Sequence, residues 1–267
     1  MLRVSFFLLF FLLIRISASS QAVEGQLDFQ KTHQPVAKIE LPCTEDVADM
    51  AIKDYMAKKG VKNSSYKGFI VFRSTMLDSA DTDLSDLYFM IDRKSRQQKD
   101  ICVINLLTTK RNQEILARSL TDSLKTESAK SFLNNLGPYI EAYNINVQLN
   151  NQDAIVKRAQ KKMNALMDDE NDLNKRIRKL QASLDENKKD QLTQVQLVEA
   201  SLKGTDNDKK KAQKKMNSLM DDQGDLEKKL RKSLASLEQN KKDQETEQQE
   251  IDKEKQVLDV IKAKQKK

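Results

Sequence analysis

The stretch KRAQKKMNALMDDENDLNKRIRKLQASLDENKKDQ runs from Lys157 to Gln191. It returns as KKAQKKMNSLMDDQGDLEKKLRKSLASLEQNKKDQ from Lys210 to Gln244, an offset of 53 residues without a gap and with 24 of 35 positions identical. Along the first copy, from the residue just before it, Val156, Ala159, Met163, Leu166, Leu173, Ile177, Leu180 and Leu184 follow alternating steps of three and four, interrupted once by Glu170. Ala212, Met216, Leu219, Leu226, Leu230 and Leu237 do the same in the second copy. That spacing draws a narrow apolar stripe along a helix, which is buried by laying it against a second such stripe. Lys, Asp and Glu fill the remaining faces, as solvated surfaces with intrahelical ion pairs require. After Leu184 the apolar phase slips, with Leu192, Val195, Val198 and Leu202 resuming it, and this predicts a stutter. Between Gln239 and Glu250 the stripe is so polar that the helix end is expected to fray.

Between the copies lies Gly204-Thr205-Asp206-Asn207-Asp208. Gly suits the residue past a helix end, and Asp or Asn suits the next helix start. The spacing predicts two antiparallel helices, about 153–203 and 207–265, folded into a coiled-coil hairpin over 149–267. The competing arrangement is one unbroken helix in a parallel dimer, carrying Gly204 to Asn207 in mid-helix at poor propensity. Two copies are too few for a solenoid.

Composition changes where this region begins. Residues 151–267 contain no Phe, Tyr, Trp or Pro, and all ten aromatics after residue 22 lie between Phe29 and Tyr143. Large apolar side chains are what a globular core needs, so residues 23–148 are expected to form a small α+β domain. Thr44 with Glu45 and Asp46 reads as a helix start, and Lys58-Lys59-Gly60 as its stop, with Val47, Met50, Ala51, Tyr55 and Met56 inward. The runs KGFIVFRSTM (67–76), DLYFMIDR (86–93) and DICVINLL (100–107) read as a three-stranded antiparallel sheet. Thr126 is expected to cap a second helix with Ala129, Phe132, Leu133 and Leu136 inward. Gly137-Pro138 should end or kink it, and Tyr139, Ile140 and Tyr143 should pack at the base of the helical arm. Residues 23–40 read as an extended, mobile lead-in.

The first 22 residues have the layout of an export signal. Arg3 gives a positive start, Val4 to Ile14 an apolar run, and Ser17 to Ala22 a small or polar exit. This eleven-residue run, apolar but for Ser5, is too short to span a bilayer, which takes about 20 residues in a helix. Ser20 and Ala22 satisfy the small-x-small rule, placing the expected cut after Ala22. Export changes how Cys43 and Cys102 read. In an oxidising compartment two thiols in one small domain are expected to pair as a disulfide, the alternative being two buried free thiols.

Function classes narrow by what is missing. His33 is the single histidine and sits in a polar segment that offers no fixed neighbour for general-base work. The sequence has no nucleophile elbow, zinc-protease helix, phosphate loop or calcium loop. Asp168-Asp169 and Asp221-Asp222 occupy equivalent surface positions of the repeat. Asp206, Asn207 and Asp208 have calcium-friendly side chains without the spacing of a calcium loop. No catalytic, cofactor or metal residues are expected. Seven excess positive charges and a pI near 9.1 suggest nucleic acid, but Lys alternates with Asp and Glu and no aromatic is interleaved for base stacking. Lys262, Lys264, Lys266 and Lys267 form an uncompensated basic end suited to weak contact with an anionic envelope surface.

DLYFMIDRKSRQQKD (86–100) and YKGFIVFRS (66–74) resemble segments of uncharacterised exported coiled-coil proteins of Bacteroidota. The resemblance implies a signal, a small α+β domain, a Lys-rich coiled coil and the periplasm or outer envelope of a two-membrane bacterium. It implies no activity and no site residues. The expected function is a non-enzymatic envelope scaffold or interaction module with a protein partner, including itself as a homo-oligomer. Two other readings follow from the long charged arm. One is a periplasmic holdase, broadly similar to Skp-type chaperones except that their arm is inserted and this one is terminal. The other is an adaptor of an envelope hydrolase.

Overall fold

The computed structural model describes residues 21–77, 84–113, 115–117, 123–201 and 205–266. The export signal up to Ser20, the Leu202–Gly204 part of the expected turn and Lys267 lie outside the described residues. The chain divides into two compact units, Met1–Leu149 with Lys264–Lys267, and Asn150–Ala263.

In the first unit the element order is β1 (Val23–Phe29), β2 (Thr32–Leu41), α1 (Glu45–Lys58), β3 (Asn63–Tyr66), β4 (Phe69–Thr75), β5 (Ser85–Arg93) and β6 (Cys102–Lys110), followed by the start of α2 (Ser123–Ser201). All six strands join one antiparallel sheet in the order β1-β2-β6-β5-β4-β3. The fold is α+β, but the sheet has six strands rather than the expected three. The three apolar runs became its middle, β4, β5 and β6. The expected lead-in became β1 and β2, and the polar NSSY stretch became β3. Both added hairpins turn through two residues at positive φ, Gln30 (50°) with Lys31 (67°) and Lys67 (47°) with Gly68 (89°). That is the tight turn whose twist matches paired strands. Neither turn has the usual Asn-Gly signature, which is why the first was unreadable.

One sheet face is covered by helix. Val47, Ala48, Ala51, Ile52 and Met56 of α1 pack with Ala129, Phe132, Leu133, Leu136 and Ile140 of α2 on Ala37, Ile39, Leu41, Phe72, Leu87, Phe89, Ile104 and Leu106. Ala48 and Ile52 are inside, whereas Met50, expected inward, is 44% exposed. Thr44 caps α1 by accepting the Val47 N–H. The other face holds Phe29, Val36, Phe69, Val71, Tyr88, Leu107 and Ile115. Here the sheet curls enough that Phe29 on one edge strand stands 6.5 Å from Tyr66 on the opposite edge, ring to ring.

Helix α2 passes through Gly137-Pro138 without ending, and Pro138 sits inside it. Gly137 is buried over β2, where a Cβ would stand in ordinary van der Waals contact with Ile39 Cδ1 at 3.4 Å and Leu41 Cδ2 at 3.7 Å. Ile140 is in the core, and Tyr143 packs against it.

The second unit is an antiparallel helical pair made by the rest of α2 and α3 (Asp206–Gln265). Buried and half-buried residues follow one unbroken three-four rhythm on each helix. On α2 it runs Gln152, Val156, Ala159, Met163, Leu166, Glu170, Leu173, Ile177, Leu180, Leu184, Asn187, Gln191, Gln194 and Val198. On α3 it runs from Ala212 through Gln223, Ser233, Asn240, Gln244, Glu247 and Glu254 to Ile261. The expected stutter is absent. The stripe continues after Leu184 through polar residues, leaving Leu192 68% and Val195 39% exposed. Thr205 and Asp208 start α3 as a reciprocal cap, Thr205 N–H to Asp208 Oδ2 at 3.3 Å and Asp208 N–H to Thr205 Oγ1 at 3.4 Å.

Candidate functional site

Three places bring chemistry-bearing side chains together. The first is the seam of the helical pair. The Asn187 Nδ2 donates to the Leu219 carbonyl at 3.1 Å, and Asn240, its counterpart 53 residues on, donates to the Leu166 carbonyl at 3.1 Å. Leu166 and Leu219 are themselves repeat counterparts. The next turn repeats the exchange. The Gln191 Nε2 donates to Gln223 Oε1 at 2.7 Å, and the Gln244 Nε2 to Glu170 Oε2 at 2.8 Å. Further along, Gln152 and Gln194 each donate to a carbonyl of α3, those of Glu254 and Ala212, both at 3.0 Å. One register satisfies all of these bonds, and the duplicated sequence faces itself about a pseudo-two-fold axis.

The energetics assign these amides a role. Each such bond is worth roughly 0.5–1.5 kcal/mol net, but a buried amide left unpaired costs about 1–3 kcal/mol. An apolar three-four stripe looks nearly the same after a slip of one heptad, so it selects register poorly. A slip that orphans Asn187, Asn240, Gln191 and Gln244 together is strongly penalised. Polar seam positions specify alignment at some cost in stability. Glu247 is buried in the stripe and pairs with Lys162, whose ammonium this bond holds above the usual lysine range. The segment from Gln239 to Glu250, expected to fray, is therefore tied across the seam.

The second place is the cysteine pair. Cys43 follows β2, just before the cap of α1, and Cys102 opens β6. Both are buried free thiols, with Sγ atoms 2.9 Å apart. The contact with Cys102 together with burial pushes the Cys43 thiol well up. The hydrogen bond from Cys43 holds Cys102 below the ordinary thiol range, against its own burial.

The third place joins α1 to α2. The Tyr139 hydroxyl bonds Asp54, and Lys58 Nζ reaches Tyr139 at 2.7 Å and Asp54 at 2.9 Å. Lys59 sits over the Tyr55 ring at 4.5 Å. The bond from Tyr139 lowers the Asp54 carboxyl, while burial and then Asp54 raise the Tyr139 phenol. A phenol held protonated beside an ion pair clasps the two helices together. No local pattern announces it, since Asp54 and Tyr139 lie 85 positions apart.

The other sequence candidates are dispersed. His33 lies on β2 opposite Asp28, with its Nδ1 against the Asp28 carboxylate and its side chain 74% exposed. Asp168, Asp169, Asp221 and Asp222 are exposed on their helices. Asp206 and Asp208 serve the start of α3. Lys262, Lys264 and Lys266 are exposed. Among the described residues, no group of three or more His, Cys, Asp or Glu is placed to hold a metal ion, and no helix is long and apolar enough to cross a membrane. Compared with known protein families, curated proteins and solved structures, the chain matches none.

Proposed function

We propose that the protein is an exported, non-enzymatic envelope component in which a small α+β head carries a coiled-coil hairpin that engages another protein. The observation that supports this reading is the amide-locked seam. Ten or more turns of helix are held in one register by bonds that leave mixed Lys, Asp and Glu faces outward, which suits a rigid recognition arm. Met167 and Met220 stand 51% and 57% exposed at equivalent positions of the repeat, paired apolar points on a largely charged surface.

Photo-crosslinking residues placed at Met167 and Met220 in the leader-bearing chain test the reading in living cells. Adducts should form with a small set of discrete envelope proteins, and should vanish when Ile177→Asp and Leu230→Asp open the seam. Adducts spread over many unfolded outer-membrane precursors, with suppression of their aggregation, would move the assignment to a holdase. Turnover of an envelope substrate that one head-domain substitution abolishes would remove the non-enzymatic reading.

A further inference from the structure

Two residues at the start of the fold bear on where the leader is cut. Ala22 is only 9% exposed and belongs to the main core. Its main-chain N–H donates to Asn134 Oδ1 of α2 at 2.7 Å. Gln21, one residue earlier, is exposed. Val23, one residue later, begins β1 opposite Lys38 and is 55% exposed.

Three bonds obey the small-x-small rule for leader removal. Cutting after Ser19 reads Ser17-Ala18-Ser19, after Ser20 reads Ala18-Ser19-Ser20, and after Ala22 reads Ser20-Gln21-Ala22. Sequence alone ranks them weakly. The fold separates them. A cut after Ala22 discards a core residue, leaves a hole beneath α2 and strips the Asn134 carbonyl oxygen of its donor. A cut after Ser20 keeps both, because Ala22 N remains an ordinary amide and the new α-amine falls on exposed Gln21. Of the two upstream bonds, only this one places alanine, the preferred small residue, three positions before the cut.

We infer that the leader is removed between Ser20 and Gln21, so that the working chain begins at Gln21 rather than Val23. The inference rests on the exported reading above. Hydrolysis of the Ser20–Gln21 amide places the carboxylate on Ser20 and the amine on Gln21. That amine can then attack its own side-chain carbonyl and expel ammonia, closing a pyroglutamyl ring.

Intact-mass measurement of the full chain, expressed with its leader and recovered from the periplasm of a bacterial host, tests this directly. The expected mass is that of Gln21–Lys267, or that mass less one ammonia. A chain beginning at Val23 or at Ser20 would overturn the assignment of the bond and leave export standing. A chain still beginning at Met1 and retained in the cytoplasm would overturn export itself. A companion measurement compares chains made to begin at Gln21 and at Val23. The Gln21 form should melt higher by about 2–4 °C, the shift expected when roughly 1 kcal/mol is lost from a chain of this size. Equal melting would remove the structural ground for the choice.

Discussion

The Asn240 side-chain amide reaches across the helical pair to the Leu166 carbonyl at 3.1 Å. Its repeat counterpart Asn187 makes the same bond in the opposite direction, so each copy of the duplicated segment locks the other.

The lock predicts a separation of stability from alignment. Replacing Asn187 and Asn240 together by Leu removes two buried amides and adds apolar surface, so the melting temperature should hold or rise. Alignment should suffer. Spin labels at Lys188 and Ser218, on exposed faces near one lock, should give a single distance in the natural chain. The double variant should add populations displaced by about 10 Å, the rise of one heptad. A single unchanged distance in the variant would show that the apolar stripe alone sets register.

The cysteine pair predicts a response to oxidation. Protein recovered from an oxidising compartment should lack titratable thiols, and reduction should lower its stability by roughly 2–4 kcal/mol, the usual contribution of a bridge closing a loop of this length. Cys102→Ser should abolish the difference between oxidised and reduced melts. Two reactive thiols in the unfolded, unreduced protein would overturn the expectation of a disulfide.

Asp86 predicts the most damaging surface-remote substitution in the head. Its carboxylate is fully buried and accepts from Arg73 at 3.1 Å, from the Ser74 N–H at 2.9 Å and from the Asn112 N–H at 3.2 Å. Ser74 and Asn112 both sit at positive φ, 53° and 61°. One side chain therefore fixes the irregularity between β4 and β5 and the turn after β6. Asp86→Ala should cost about 3–5 kcal/mol, as expected for removal of one partner from a buried charged cluster, read by chemical denaturation. Asp86→Asn should cost less.

Asp92 predicts a pH-dependent gain. Asp92 is exposed at the end of β5, yet partial desolvation among its neighbours, and then the nearby Glu45, raise its carboxyl above the usual range. A raised acid favours the folded state while protonated, and that contribution is lost as pH climbs through the folded value. Asp92→Asn should therefore match the natural chain in acid and exceed it in stability at neutral pH. Denaturant melts at the two pH values decide it, and equal stability at both would remove partial desolvation and the Glu45 charge as the cause.

The stripe from Val156 to Leu184 could be read because apolar side chains report their own burial. Asn187, Gln191 and Gln194 could not. Their amides are hidden by bonding carbonyls 18 to 32 positions away, and no local pattern announces that. The same blindness turned Asn240, Gln244 and Glu247 into an expected frayed end. In the head, β4 to β6 carry enough Phe, Ile, Val and Leu to be seen as strands. β2 hides behind His33, Gln34 and Pro35, and its ladder to β6 covers only Ala37–Leu41, which leaves Pro35 where no donor to β6 is needed. Gly137-Pro138 reads locally as a helix end, yet Gly137 is buried over β2 and the helix runs on through Pro138. The cysteines were paired from number and compartment, and the structure puts their sulfurs side by side without a bond.

The acceptors of the Asn187 and Asn240 locks belong to the main chain, which every amino acid supplies alike. Half of each contact is thus indifferent to mutation. Descendants of this chain can exchange Leu166 or Leu219 for another residue that fills the stripe and keep the lock, whereas drift at Asn187 or Asn240 leaves the arm's alignment without its guard.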